Sequence, residues 1–320
     1  MILLLVATVV VAAVVLPNWA RPSEQLFASN SVWNAEVPAG AALDPNSAAY
    51  VSELNRQVSR YGPWFNTTRY SVPVYTAGPQ QPTVAVQLDP AAGSQPALAQ
   101  AWRSVPLPTT AQPASGSDGS LVVWQPSTDK MWELWQLQRR GAGWQARWGG
   151  YMGSVSTNPG YYLGQTSWGS SATSLPAAAG LVRITELRAG HIDHALSLGL
   201  AETSSLVFSS PAERTDGNVA DPHAIPEGTH FRLDPSLDLA KLHLPRFTLL
   251  LARAAQRYGL IVHDRSSLVT LWGEDPTQYR TDPYLGAKGF WGGESVTTLM
   301  EHFPWSHLQA LPTTLHRAGS

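Results

Sequence analysis

The sequence predicts a mainly-β domain, a β-sandwich or jelly roll with one covering α-helix at about 246–258 and a short helix near the N-terminus. Three observations point there. The 320 residues include 26 Gly and 25 Pro, which interrupt helix propagation along the chain. Short apolar runs bounded by turn residues recur through the middle of the sequence, the spacing expected of sandwich strands. Sustained helical periodicity occurs in two places only.

Residues Met1 to Leu16 carry no charge and end at Pro17. That length suits the apolar stretch of a signal peptide and falls short of the roughly 20 residues that cross a bilayer. Residues 1–20 therefore read as a signal peptide or a short anchor, and 21–320 as a single β-rich domain, secreted or extracytoplasmic. Because no Lys or Arg precedes the apolar run and Asn18-Trp19-Ala20 is a poor cleavage site, retention as an anchor stays open. Ala48, Val51, Leu54 and Val58 recur at helical spacing after Asp44-Pro45-Asn46, a helix start signal. Residues 70–88 turn to short β-branched runs. The Ala-, Pro- and Ser-rich stretch 91–117 reads as a surface excursion, since apolar strands resume directly after it.

Leu121 to Gln125 and Met131 to Gln138 flank Pro126-Ser127-Thr128-Asp129, a hairpin with a four-residue loop. That register sets Trp124 opposite Met131 and Val122 opposite Glu133. Alternation then places Val122, Trp124, Met131, Glu133 and Trp135 on one face, a carboxylate among indoles. Further strands are expected at 143–148, 180–187 and 191–198. Phe247, Leu250, Leu251, Ala254 and Tyr258 define the covering helix, with Pro245 near its start and Gly259 at its end. Strands at 260–263 and 268–272 follow.

Several segments resemble a set of exported bacterial proteins to which no activity attaches. They are Trp132-Glu133-Leu134-Trp135, Gly180-Leu181-Val182-Arg183 with Glu186, His194-Ala195-Leu196, Pro211-Ala212-Glu213-Arg214, Glu227 to Leu233 and Gln256-Arg257-Tyr258-Gly259. The resemblance spans about Ser31 to Asp275 in one order and implies one extended secreted domain. It singles out Glu133, Glu186, His194, Arg214, Arg232 and Asp264 as recurrent polar positions.

Composition narrows the function. A net charge of −2 offers no broad cationic field for a phosphate backbone, so nucleic acid is not an expected partner. Without Cys there is no disulfide and no thiolate metal site. Neither a phosphate loop nor a Gly-x-Ser-x-Gly elbow is present. What remains is carbohydrate chemistry, because 13 Trp can supply stacking platforms as well as core. The expected partner is a polysaccharide or cell-wall glycan, with membrane contact only through an uncleaved leader.

Glycoside hydrolysis needs two carboxylates, one protonated and one ionised. Glu133, among indoles that would raise its pKa, is the expected acid and Glu186 its partner. Arg183 or Arg214 would orient substrate, and Trp124, Trp135 and Trp148 would stack on sugars. A lyase needs a cation to neutralise a uronate and a base to remove its proton, for which His194 is the candidate. His194 also reads as a core histidine bonded to a carboxylate, since it shares a strand face with Ile192, Leu196 and Leu198. No cofactor is expected beyond a calcium ion near Asp216 and Asp221, where oxygen ligands and Gly fall in one loop. The rival function is a non-catalytic glycan-binding or cell-envelope module.

Overall fold

The computed structural model describes residues 25–319; the expected leader lies outside them. The described residues form a mixed α/β protein with several sheets and, among them, no closed barrel. In order, the first elements are α1 (Ser47–Tyr61), β1 (Pro63–Asn66), β2 (Val74–Thr76), β3 (Val86–Leu88) and α2 (Pro96–Ala101). Next come β4 (Leu121–Gln125), β5 (Lys130–Trp135), β6 (Gln138–Arg140), β7 (Gly143–Ala146), β8 (Trp148–Gly153) and α3 (Ile184–Ala189). The last third holds β9 (Leu196–Leu200), β10 (Val207–Ser209), β11 (His230–Leu233), α4 (Arg246–Arg257), β12 (Leu260–Arg265) and β13 (Val269–Trp272). It ends with α5 (Val296–Glu301), β14 (Leu308–Ala310) and β15 (Leu315–Arg317).

A six-stranded mixed sheet runs β1-β13-β9-β12-β11-β14, and a four-stranded one runs β2-β4-β5-β8. Smaller sheets join β3-β7-β6 and β10-β15. The β4–β5 hairpin has the expected register, Trp124 opposite Met131 and Val122 opposite Glu133. Four pairs are parallel: β1 with β13, β9 with β12, β2 with β4, and β3 with β7. Such pairs join distant chain segments, which is why a hairpin-by-hairpin reading of the sequence does not reach them.

Two cores form, one centred on each of the two larger sheets. Alternate residues of the six-stranded sheet, Phe65, Leu196, Leu198, Leu260, Val262, Val269 and Leu271, pack with Phe247 and Leu251 of α4. The amphipathic stripe read from the sequence thus does cover this sheet. The opposite core gathers Val122, Val123, Met131, Trp132 and Leu134 of the four-stranded sheet, together with Trp33 and Ile261.

Three expectations need correction. The stretch 180–187 is not a strand. Glu186, three residues into α3, accepts the Arg183 N–H at 2.8 Å, and Gly190 ends the helix with φ 80°. Six residues are too few to show helical periodicity, although both end signals were present. The strand expected at 191–198 begins at Leu196. Nor is 91–117 a surface excursion throughout. Leu98 and Trp102 are fully buried, and Val105 and Leu107 join the same core. Pro96 at the first turn of α2 starts a helix rather than breaking one.

Candidate functional site

On the six-stranded sheet, the residues that alternate with the α4-facing set line a cleft of about 430 Å³. Trp64 and Asn66 come from β1, Ser197 from β9, and Thr270 and Trp272 from β13. Asp118, Ser120, Ser170 and Ala177 close it from the side of the four-stranded sheet, and Arg69 and Tyr70 also line it.

A β-bulge sets its chemistry. Val262 of β12 pairs with Leu198, but Asp264 pairs with Gly199, so one residue is inserted between them. Strict alternation would send the Asp264 carboxyl into the helix-side core. The inserted residue returns it to the cleft, the re-aiming that bulges perform beside sites. Gly199 is needed for a second reason: a Cβ there would overlap the Trp272 ring that forms one wall.

Asp264 receives the backbone N–H groups of Ala172 (3.2 Å) and Arg265 (2.8 Å). Those two bonds do not offset its surroundings. Burial first, and then the charge of Asp216, push its carboxyl up to about 7. Asp118, in the same cleft, is also raised by burial, and its charge adds to the rise at Asp264. Beside Asp264, His263 stays neutral. Its Nε2–H donates to Leu175 O (3.3 Å), Nδ1 faces the Ser197 hydroxyl at 2.6 Å, and burial lowers its pKa to about 4.

Asp216, Glu227 and Asp264 each bring a carboxylate oxygen within 4.8 Å of the others, a donor set that could hold a hard divalent cation. Glu227 is raised by burial and by its acidic neighbours. Arg265 already meets this group, its Nη1 lying 3.6 Å from Asp216 Oδ2. Asp221, the other residue of the expected calcium loop, instead accepts the His223 N–H at 2.7 Å in its own turn.

The expected site residues are dispersed. Glu133 is wholly buried, behind the cleft wall rather than in it. Its carboxylate accepts from Tyr162 Oη–H (2.8 Å), Ala177 N–H (2.8 Å), and both the N–H and hydroxyl of Ser170. It holds the 170–177 segment, so its part is positioning. The expected exposed Trp-Glu-Trp face does not form, because β4 and most of β5 are buried on both sides.

Trp124 is core, and Trp148 donates to Ser167 O at 2.8 Å; Trp135 reaches Asp118. The aromatic lining of the cleft is Trp64, Tyr70 and Trp272 instead. Glu186 lines a different cavity, of about 520 Å³, where His194 Nε2 lies 3.0 Å from its Oε2. His194 is thus the carboxylate-bonded histidine of the second reading. Arg183 is buried in an ion pair with Glu274 at 3.0 Å, and Arg214 donates to Ser171 O at 3.0 Å.

Sequence reasoning missed Asp264 and Asp118 as the two carboxyls that line the cleft. Asp264 was visible only as a recurrent position in the resemblance, because a bulge leaves no trace in a period-two pattern. Asp118 lay in a Gly- and Ser-rich turn with no signal of its own. No protein-family model, no curated protein and no solved structure matches this chain, so its chemistry follows from this geometry.

Proposed function

We propose that this chain is an exported, carbohydrate-active protein with a β-rich, sandwich-like body that hydrolyses a polysaccharide in the Asp264 cleft. Asp264 is the general acid and Asp118 the second carboxylate. The observation that carries the reading is a carboxyl held protonated to about 7 in a cleft that also holds a second carboxyl and three aromatic rings. Asp264 gives its proton to the departing glycosidic oxygen. The anomeric carbon takes oxygen from water, and Asp118 accepts the proton that water sheds. Trp64, Tyr70 and Trp272 offer faces to sugar rings. Tyr70 supports this role by its backbone, which at φ 65° is strained for a bulky residue and keeps its ring half exposed at the cleft.

The test is release of reducing ends from plant, algal and bacterial polysaccharides, with unsaturated-uronate absorbance read in parallel. Asp264→Asn and Asp118→Asn should each lower kcat by about 10² or more while glycan binding persists. Activity should fall as pH rises through about 7, where Asp264 loses its proton. Full turnover in Asp264→Asn, or unsaturated products without reducing-end hydrolysis, would overturn the assignment.

A second reading, glycan binding without turnover, is favoured by one observation: Glu133 and Glu186 are both locked into internal bonds. Binding by the wild type with no product from any polymer would establish it.

A further inference from the structure

The cations of the Asp264 cleft bear on the charge of what it holds. Arg69 is exposed, and its guanidinium carbon lies 5.6 Å from the centroid of the Tyr70 ring. Among the described residues no carboxylate pairs with it. Packing on an aromatic ring limits the rotamers of the long side chain and leaves the guanidinium edge, with its paired N–H donors, for a planar acceptor. Arg265 is the second cation. Its Nη1 donates to Asp216 O at 3.1 Å, but its Nε–H is buried without an acceptor. Arg265 lines the same cleft as Arg69.

We propose that the cleft takes an acidic polysaccharide, with a uronate carboxylate held by Arg69 and Arg265 while the sugar faces meet Trp64, Tyr70 and Trp272. The inference rests on the assignment of this cleft as the glycan site and adds the class of glycan. Arg69 has no carboxylate partner among the described residues, so its charge is free to meet an anion at the cleft. Carboxylate suits the fork better than sulfate, because a planar acid takes two parallel N–H bonds from one guanidinium.

The experiment measures binding as well as turnover, so that substrate class and catalysis are separated. Polygalacturonate, the same polymer with its carboxyls reduced to alcohols, and dextran sulfate are compared by affinity electrophoresis with wild type, Arg69→Gln, Arg69→Lys and Asp264→Asn. The expected result is binding of polygalacturonate at least ten times tighter than of its reduced form. Arg69→Gln should lose about tenfold, Arg69→Lys should recover part of it, and the preference should weaken as salt rises. Asp264→Asn should bind like wild type.

Equal binding of the reduced polymer, or no change in Arg69→Gln, overturns the acidic-glycan assignment even if a neutral polymer is cleaved. Equal binding of dextran sulfate overturns the carboxylate. Tight uronate binding with no hydrolysis by the wild type overturns the hydrolase reading and leaves this one standing.

Discussion

Leu181 lies between two cavities that contain the same pair of chemical groups, a carboxyl and an imidazole, in opposite states. In the smaller cleft Asp264 is held protonated and His263 neutral, each bonded to neighbours of its own. In the other cavity Glu186 and His194 face each other. His194 Nδ1 meets Ala195 O at 2.8 Å and its Nε2 meets the Glu186 carboxylate, so both ring nitrogens face acceptors and both must carry protons. Burial alone would lower this histidine, but the Glu186 charge outweighs it and holds its pKa up. The contrast separates two uses of buried polarity. Where charges match, they fix the chain; where they are left unmatched in a cleft, a proton is available for chemistry.

The matched side should be the more fragile. Arg183 and Glu274 form a buried pair at 3.0 Å, and Glu274 also accepts the Ile184 N–H that starts α3. Arg183→Met leaves the Glu274 carboxylate buried without its cation. The expected loss is about 3–5 kcal/mol, read from urea unfolding midpoints at pH 7. A loss below 1 kcal/mol would mean that the Glu274 site reaches water, and the comparison between the two cavities would lose its footing.

On the unmatched side the change should be smaller and of opposite sign. Asp216→Asn removes the charge that, after burial, raises Asp264 most, and with it the ion-pair partner of Arg265. The Asp264 carboxyl should titrate about half to one pH unit lower, followed by carboxyl carbon NMR. The sign of the stability effect follows. With its pKa raised, folded Asp264 keeps a proton that the unfolded chain releases from about pH 4, so wild-type stability falls between about pH 4 and 7. Asp216→Asn should shallow that fall, gaining about 1 kcal/mol at pH 7, since one pH unit in proton affinity is about 1.4 kcal/mol. An unmoved Asp264 titration would place the cause of its rise in burial alone.

How much of this was legible follows the range of the forces involved. The β4–β5 register, α1, α4 and strands β12 and β13 came from local alternation and caps, which act over a few residues. Glu133 was placed correctly on its strand and wrongly in its surroundings. Its donors come from Tyr162, Ser170 and Ala177, about 30 to 45 positions downstream, and nothing near it in sequence marks them. Asp264 was hidden by the opposite error: its strand was expected, but one inserted residue reversed the face. Trp272 lines the cleft because Gly199, on another strand, leaves room for its ring.

The smallest expected effect tests the matched His194–Glu186 pair through pH. A histidine raised above its ordinary value near 6.5 contributes stability below that pH and loses it as pH rises through the raised value. Glu186 is the mirror case. Although burial opposes it, His194 and the Arg183 N–H hold its carboxyl below 4.5, so its contribution is present above that pH and lost as pH falls through the lowered value. The pair is therefore at full strength between about 4.5 and 6.5. His194→Gln keeps a donor toward Glu186 but cannot titrate. Its stability at pH 6 should be lower than wild type by about 1 kcal/mol, and the gap should close by pH 9. Because the raised carboxyls near Asp264 make both proteins lose stability across neutral pH, the difference between the two curves is the quantity that reports on His194. A gap that stays constant from pH 6 to 9 would mean a neutral imidazole, and with it a protonated Glu186, which would make the two cavities alike.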